Sequence, residues 1–183
     1  MRAEVPYPKA YVQALVNQFA VRAGIRPPRF CWSRRVKLAS YFALSHTVHV
    51  NPRFAQHLPE DEFQAVLAHE IGHAGQRWMT LFLAAVDVLV NPFTLVLVAG
   101  LHPKPLWPIL AMGLTLVIKW RLGPRIRLAK ELGADAFCVR ALGDEQPLLL
   151  LLQRLVGRGR KTSWVTRRRL DQLDKSRSPF QVD

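Results

Sequence analysis

Apolar residues at Val12, Leu15, Val16 and Phe19 in the stretch YVQALVNQFAVRAG recur every three or four positions, which predicts an amphipathic helix closed at Gly24. A Pro27-Pro28 turn and a basic segment, CWSRRVKLA, follow. The pattern then alternates in SHTVHVNP, predicting an edge strand from about Phe42 to Val50 that ends at Asn51-Pro52. From Pro59 three acids precede Phe63, Val66, Leu67 and Ile71, the start signal and apolar face of a second helix. Beyond Ile126, RLAKELGADAFCVRALG predicts another helix closed by Gly143, and PLLLLLQRL a short buried one.

Between these helices the pattern changes. From Met79 to Ile118 only Asp87 and Lys104 carry a formal charge, and the span breaks at Gly100 to Pro105 into two apolar segments. The first, Met79 to Ala99, has 21 residues, enough to cross a hydrocarbon core of about 30 Å, although Asp87, Asn91 and Pro92 are poor lipid-facing residues. The second begins at Leu106 and runs out at Lys119, so it must recruit the turn or be re-entrant. Residues 79–118 are therefore expected to form a membrane hairpin, the competing reading being an apolar helical hairpin buried in a soluble fold.

Charge adds sidedness. The chain of 183 residues has 26 Lys and Arg against 13 Asp and Glu, a net charge of +13 that attracts anionic surfaces. Six of those cations lie between Arg22 and Lys37, and Lys119, Arg121, Arg125, Arg127 and Lys130 crowd the far flank of the apolar span. Trp78, Trp107 and Trp120 stand near segment ends, so both flanks are expected on the cytoplasmic side of a membrane with the hairpin dipping outward. The segment 154–183 is also basic, with RRR at 167 to 169, and reads as a solvated or lipid-facing run. It lacks the aromatic interleaving of a nucleic-acid footprint.

Composition excludes some classes. A chain with 50% hydrophobic residues is not disordered in bulk and can bury one core. Two cysteines, Cys31 and Cys138, exclude a disulfide scaffold; Cys138 reads as a packed small hydrophobe. No apolar run follows Arg2, Glu4, Pro6 and Pro8, so a cleavable secretory signal is not expected.

The chemistry lies in HEIGH. His69 and His73, one helical turn apart, can reach a metal from one face, and Glu70 beside them can take a proton from an attacking water. A catalytic zinc takes three protein ligands. Nearby candidates for the third are His57, Glu60, Asp61, Glu62, His102, Glu131 and Asp135; Glu131 is best placed, because Asp135 follows one turn later and can orient a liganding imidazole. A second electrophile is left open among His49, His57, His102 and Arg140.

HEIGH followed by ELGAD, with the lead-in HTVHVNPRFAQHLPEDEFQAVLAHE, resembles the HtpX/Ste24-type zinc metallopeptidases over roughly Ser45 to Gly143, more weakly beyond. The resemblance implies one zinc ion on His69, His73 and Glu131, Glu70 as general base, Asp135 behind the ligands, and membrane helices between the two motifs. It also implies that the strand Ala43, Leu44, Ser45, His46, Thr47, Val48, His49, Val50 binds substrate backbone by strand addition. Full-length relatives look larger, so a compact variant is expected. The expected fold is α+β: residues 1–183 form one mainly helical, zincin-type metallopeptidase domain with a small antiparallel sheet and the inserted hairpin. The expected function is a zinc endopeptidase acting on polypeptides at the cytoplasmic face of a membrane. The alternative is a non-catalytic, membrane-associated metal-binding or interaction protein.

Overall fold

The computed structural model describes residues 6–89, 100, 106–157 and 164–177. Among the described residues, seven helices and three strands follow in the order α1 Lys9–Arg22, β1 Arg29–Trp32, β2 Ala39–Phe42, β3 Thr47–Val50, α2 Pro52–Ala55, α3 Glu60–Gly75, α4 Arg77–Leu89, α5 Leu106–Leu142, α6 Gln146–Gly157 and α7 Trp164–Arg177. Two compact units emerge: Met1–Gly75 together with Glu131–Asp183, and Gln76–Lys130.

In the first unit, α1 ends where Gly24 takes a left-handed φ of 64°. The N–H of Ile25 reaches Ala20 O and that of Gly24 reaches Val21 O, closing the last carbonyls in a Schellman arrangement. Val12, Val16 and Phe19 from its inner face join Phe30, Val48 and Val50 of the sheet, Phe63, Leu67 and Ile71 of α3 and Leu148 and Leu152 of α6 in one core.

The sheet is mixed rather than antiparallel, in the order β1-β3-β2: β3 runs parallel to β1 (Phe30 beside Val48) and antiparallel to β2 (Tyr41 beside Val48). The alternation in Thr47–Val50 sends Val48 and Val50 inward, but the strand expected over Ala43 to Val50 is shorter and lies elsewhere in the order. Ala43, Leu44, Ser45 and His46 are a turn. His46 has φ 49°, and its ring is held between Tyr41 Oη at 2.7 Å and Arg26 O at 2.9 Å. Thr47, Val48, His49 and Val50 form the central strand, hydrogen-bonded on both sides, so they cannot accept an added strand. The outer strands are β1 and β2. Gln13 of α1 covers β1, accepting from Phe30 N at 2.8 Å and donating to Pro28 O at 3.0 Å.

Helix α5 runs unbroken through Pro124 and ends at Gly143, φ 75°, where two separate segments were expected. The 154–183 segment is not simply solvated either. Arg154 forks onto buried Glu62 at 2.8 and 2.9 Å, fastening α6 to α3, and Arg169 of α7 points into the protein.

In the second unit, α4 exposes Trp78, Phe82 and Val86 at one-turn intervals, and α5 exposes Val117, Trp120 and Leu122. Among the described residues no helix is long and apolar enough to cross a membrane. Residues 90–99 and 101–105 of the expected hairpin lie outside the described residues.

One contact sets the spacing of the first unit. Gly72 of α3 lies so close to α5 that a Cβ on it would stand 2.7 Å from Ala134 Cα and 2.9 Å from Ala134 O. Both partners are backbone atoms, so relief requires moving a helix. Gly72→Ala is expected to cost about 1–3 kcal/mol as an overpacked contact, despite alanine's better helix propensity. For a chain this size that lowers Tm by about 2–4 °C per kcal/mol, measurable by thermal unfolding followed by circular dichroism; an unchanged or raised Tm would refute the tight crossing.

Candidate active site

The close crossing of α3 and α5 brings two one-turn pairs face to face: His69 and His73 from α3, Glu131 and Asp135 from α5. His69 Nε2 lies 3.5 Å from Glu131 Oε2, and His73 Nε2 lies 3.7 Å from Glu131 Oε1. One donor atom from each of the three residues falls within 4.8 Å of the others. Bond lengths of 2.0 to 2.1 Å in tetrahedral coordination separate ligand atoms by about 3.3 Å, so each imidazole already stands near that separation from an oxygen of Glu131. Two imidazoles and a carboxylate are also among the donor sets of catalytic zinc. On both counts the residues fit the metal.

Asp135 stands behind this triangle, its Oδ1 2.9 Å from His69 Nδ1, which leaves Nε2 toward Glu131. Arg169 completes the arrangement. Its Nε and Nη2 reach the two oxygens of Asp135 at 2.6 and 2.7 Å, and its Nη1 reaches Glu131 Oε2 at 2.9 Å. One planar guanidinium therefore orients both acidic side chains, a geometry its fork allows and an ammonium does not.

The electrostatics follow from burial and these neighbours. Burial alone would favour neutral Glu131, but His69, Arg169 and His73 outweigh it and hold its carboxyl at about 2. Asp135 is lowered in the same way, with His69 and Arg169 overcoming the cost of burial. Burial pulls the His69 imidazole down, yet Asp135 and Glu131 raise it to about 9, as expected where two carboxylates create a seat for positive charge.

Glu70, 8% exposed, differs. Burial pushes its carboxyl up to about 7, moderated by His69 and by the Tyr41 backbone N–H. A carboxyl near neutrality can both take up and release a proton. Glu70 lines a cavity together with His69, Arg169, Leu38 and Ala39.

Of the other candidates for the third ligand, Glu62 is spent on Arg154, Glu60 accepts from the Tyr11 hydroxyl, and His57 and Asp61 are exposed. His102 lies outside the described residues. Neither His49, packed on the Phe42 ring at 4.7 Å, nor exposed Arg140 lines the cavity at Glu70. Cys138 is fully buried, its Sγ 3.4 Å from Ala65 O, and burial pushes the thiol up to about 12.

Sequence reasoning missed Arg169, because the last arginine of an RRR run looks like solvated charge. A periodic signal was present: Val165, Arg169 and Leu173 share one face of α7, and Val165 is buried. Arg169→Ala is expected to weaken zinc binding by about 10–100-fold, the usual effect of removing a group that orients ligands, and Arg169→Lys to recover only part of the loss. Titration against a competing chelator reads this directly; wild-type affinity in Arg169→Ala would show that the fork does not organise the ligands.

The comparisons with known proteins agree on the class of this arrangement. Over 98 residues, half of its length, the chain is 36% identical to a protease HtpX homolog of Aeropyrum pernix, and the match covers 30% of that relative. No solved structure matches it significantly. The model of peptidase family M48 matches residues 6–177, nearly the whole sequence, including every residue of the triangle and Arg169. The chain therefore belongs to peptidase family M48.

Proposed function

We propose that the protein is a zinc-dependent endopeptidase of zincin type, associated with a membrane and acting on polypeptides from the cytoplasmic side. The observation that carries this reading is the placement of Glu70: a buried carboxyl next to His69, lining the same cavity, beside a triangle of two imidazoles and a carboxylate. A protein that only stored metal or bridged partners would have no use for a proton-transfer group there.

His69, His73 and Glu131 would hold the ion, with Asp135 and Arg169 fixing the orientation of His69 and Glu131. When bound, zinc supplies Lewis-acid polarisation of the scissile carbonyl and stabilises the negative charge that develops on its oxygen. Glu70 takes the proton from the attacking water as the carbon–oxygen bond forms, then delivers it to the departing amine nitrogen. The Tyr41 N–H holds the Glu70 carboxylate from the side of β2. As the outer strand beside Glu70, β2 replaces 43–50 as the track for an extended substrate.

Membrane association is supported by the exposed Trp78, Phe82 and Val86 of α4 and Trp120 of α5, and by the cationic residues flanking the apolar span on both sides. Lipid would cover those side chains.

Zinc content and casein cleavage of detergent-purified wild type and Glu70→Gln test the chemistry. Both forms should carry one zinc, and the variant should lose at least about 100-fold in rate, the low end of what a general base contributes. Stoichiometric zinc with cleavage indifferent to Glu70 would sink the peptidase reading. Separately, the protein should remain with membranes through an alkaline carbonate wash; release into the supernatant would remove the integral association.

A further inference from the structure

We infer that the exposed cations of the β1–β2 connection select substrates that carry acidic residues on one side of the bond to be cut. This rests on the peptidase reading, with β2 as the track, and names a substrate class for it: extended segments rich in Asp and Glu.

The charge of this region has one sign. No Asp or Glu occurs between Glu4 and Glu60, whereas the same span holds eight Lys and Arg. Arg34, Arg35 and Lys37 fall in the connection that leads into β2; all three are exposed, and among the described residues none forms an ion pair. Val50 pairs with Ala39, so Arg53, three residues further on, adds a fourth exposed cation to this end of the sheet. Like charges held together leave a positive field that an incoming anion relieves.

The connection is fastened where it presents them. Ser33 N–H donates to Val50 O at 2.9 Å, the Asn51 side chain to Val36 O at 2.8 Å, and Asn51 N–H to Leu38 O at 2.8 Å. Backbone pinned at 33, 36 and 38 keeps the side chains between those points beside the start of β2. The turn after β2, Ala43 to His46, has no Lys or Arg and exposes Leu44 instead. Arg29, on β1, is separated from β2 by β3. Charge is therefore graded along the outer strand, cationic before Ala39 and uncharged past Phe42.

The Tyr41 N–H reaches Glu70, which fixes where the cut falls along the track. An extended chain advances about 3.4 Å per residue, so a substrate running from there toward Lys37 meets the cations roughly three to five residues from the cut. A polypeptide laid this way satisfies two needs together, since its backbone pairs with the outer edge of β2 while its carboxylates meet Arg and Lys. Lipid headgroups would meet only the second.

The test uses a casein-derived peptide that the zinc-loaded wild type cuts, in neutral detergent without lipid, remade with Glu, Gln or Lys at about the third to fifth residues from the cut on either side. One exposed ion pair contributes about 1.4- to 5-fold, so three should favour Glu over Gln in kcat/KM on the order of tenfold, on one side only. Raising the salt from about 0.1 to about 1 M shortens the screening length from ~10 to ~3 Å and should bring the ratio toward one. The triple variant Arg34→Gln, Arg35→Gln, Lys37→Gln should abolish the ratio, and the corresponding triple change to Glu should reverse it. The same loss of charge through Lys9→Gln, Arg26→Gln and Arg29→Gln should leave the ratio as in wild type. Thermal melts identify a variant that has failed to fold, in which case the other loop variant and the salt series decide. A companion measurement follows binding of labelled Glu-rich and Glu-poor casein peptides to zinc-loaded Glu70→Gln by fluorescence anisotropy, with and without the loop substitutions.

Equal cleavage of the Glu, Gln and Lys peptides, or a preference that the loop substitutions leave intact, overturns the inference and leaves the peptidase reading standing. Indifference to peptide charge, with binding to phosphatidylglycerol vesicles weakened in the loop variants, assigns the cations to lipid and overturns it as well. Loop-dependent binding of the Glu-rich peptide by a protein that cuts nothing sinks the peptidase reading while preserving the acidic docking surface.

Discussion

Everything at the site depends on how closely two helices approach at Gly72 and Ala134. His69, Gly72 and His73 on α3 have the same spacing as Glu131, Ala134 and Asp135 on α5. The contact therefore lies between the paired functional side chains on each helix. A helix spends stability on an interior glycine, roughly 0.8–1.0 kcal/mol relative to alanine. Here the missing Cβ lets the backbones approach until an imidazole on one helix and a carboxylate on the other stand 3.5 Å apart. The candidate ligand triangle thus needs no loop to shape it, and it inherits the stiffness of two packed helices.

That approach creates an electrostatic problem, since it places Glu131 and Asp135 together in a partly dehydrated position. Two carboxylates left there would disfavour each other's ionisation. Arg169 resolves this by joining both, and His69 meets Asp135 from the other side. Acid, imidazole and guanidinium form one charge-balanced network whose members fix one another's rotamers. The α6 leucines have a comparable double duty: Leu148 and Leu152 belong to the core of the fold and also line the cavity beside Glu70. Changes that reshape that cavity therefore act on stability as well, and the two properties cannot be adjusted independently at those positions.

Much of this was legible in the sequence, for identifiable reasons. The one-turn spacing of His69 with His73 and of Glu131 with Asp135 is a local property, visible without knowing what the helices pack against. So was the Thr47–Val50 alternation, which reports the burial of Val48 and Val50. Less could be read where strands are four residues long: β1 and β2 show no clean alternation, and a parallel partner for β3 is a long-range fact. The turn at 43–46 was absorbed into a strand because His46, rather than glycine, takes the positive φ, held by Tyr41 and Arg26. Gly72 and Arg169 escaped for one shared reason. A helical glycine and an arginine within a basic run acquire meaning only from what faces them across the fold.

The position of Arg169 also gives assembly of the site an order in time. A chain leaves the ribosome from its N-terminus, so His69, His73, Glu131 and Asp135 are all made before the guanidinium that gathers the two carboxylates. Until α7, Trp164–Arg177, has been synthesised and has docked, the ligands lack the cation that sets their orientation. The paired acidic and imidazole side chains are therefore poorly organised while the chain is unfinished, and the docking of α7 completes their arrangement.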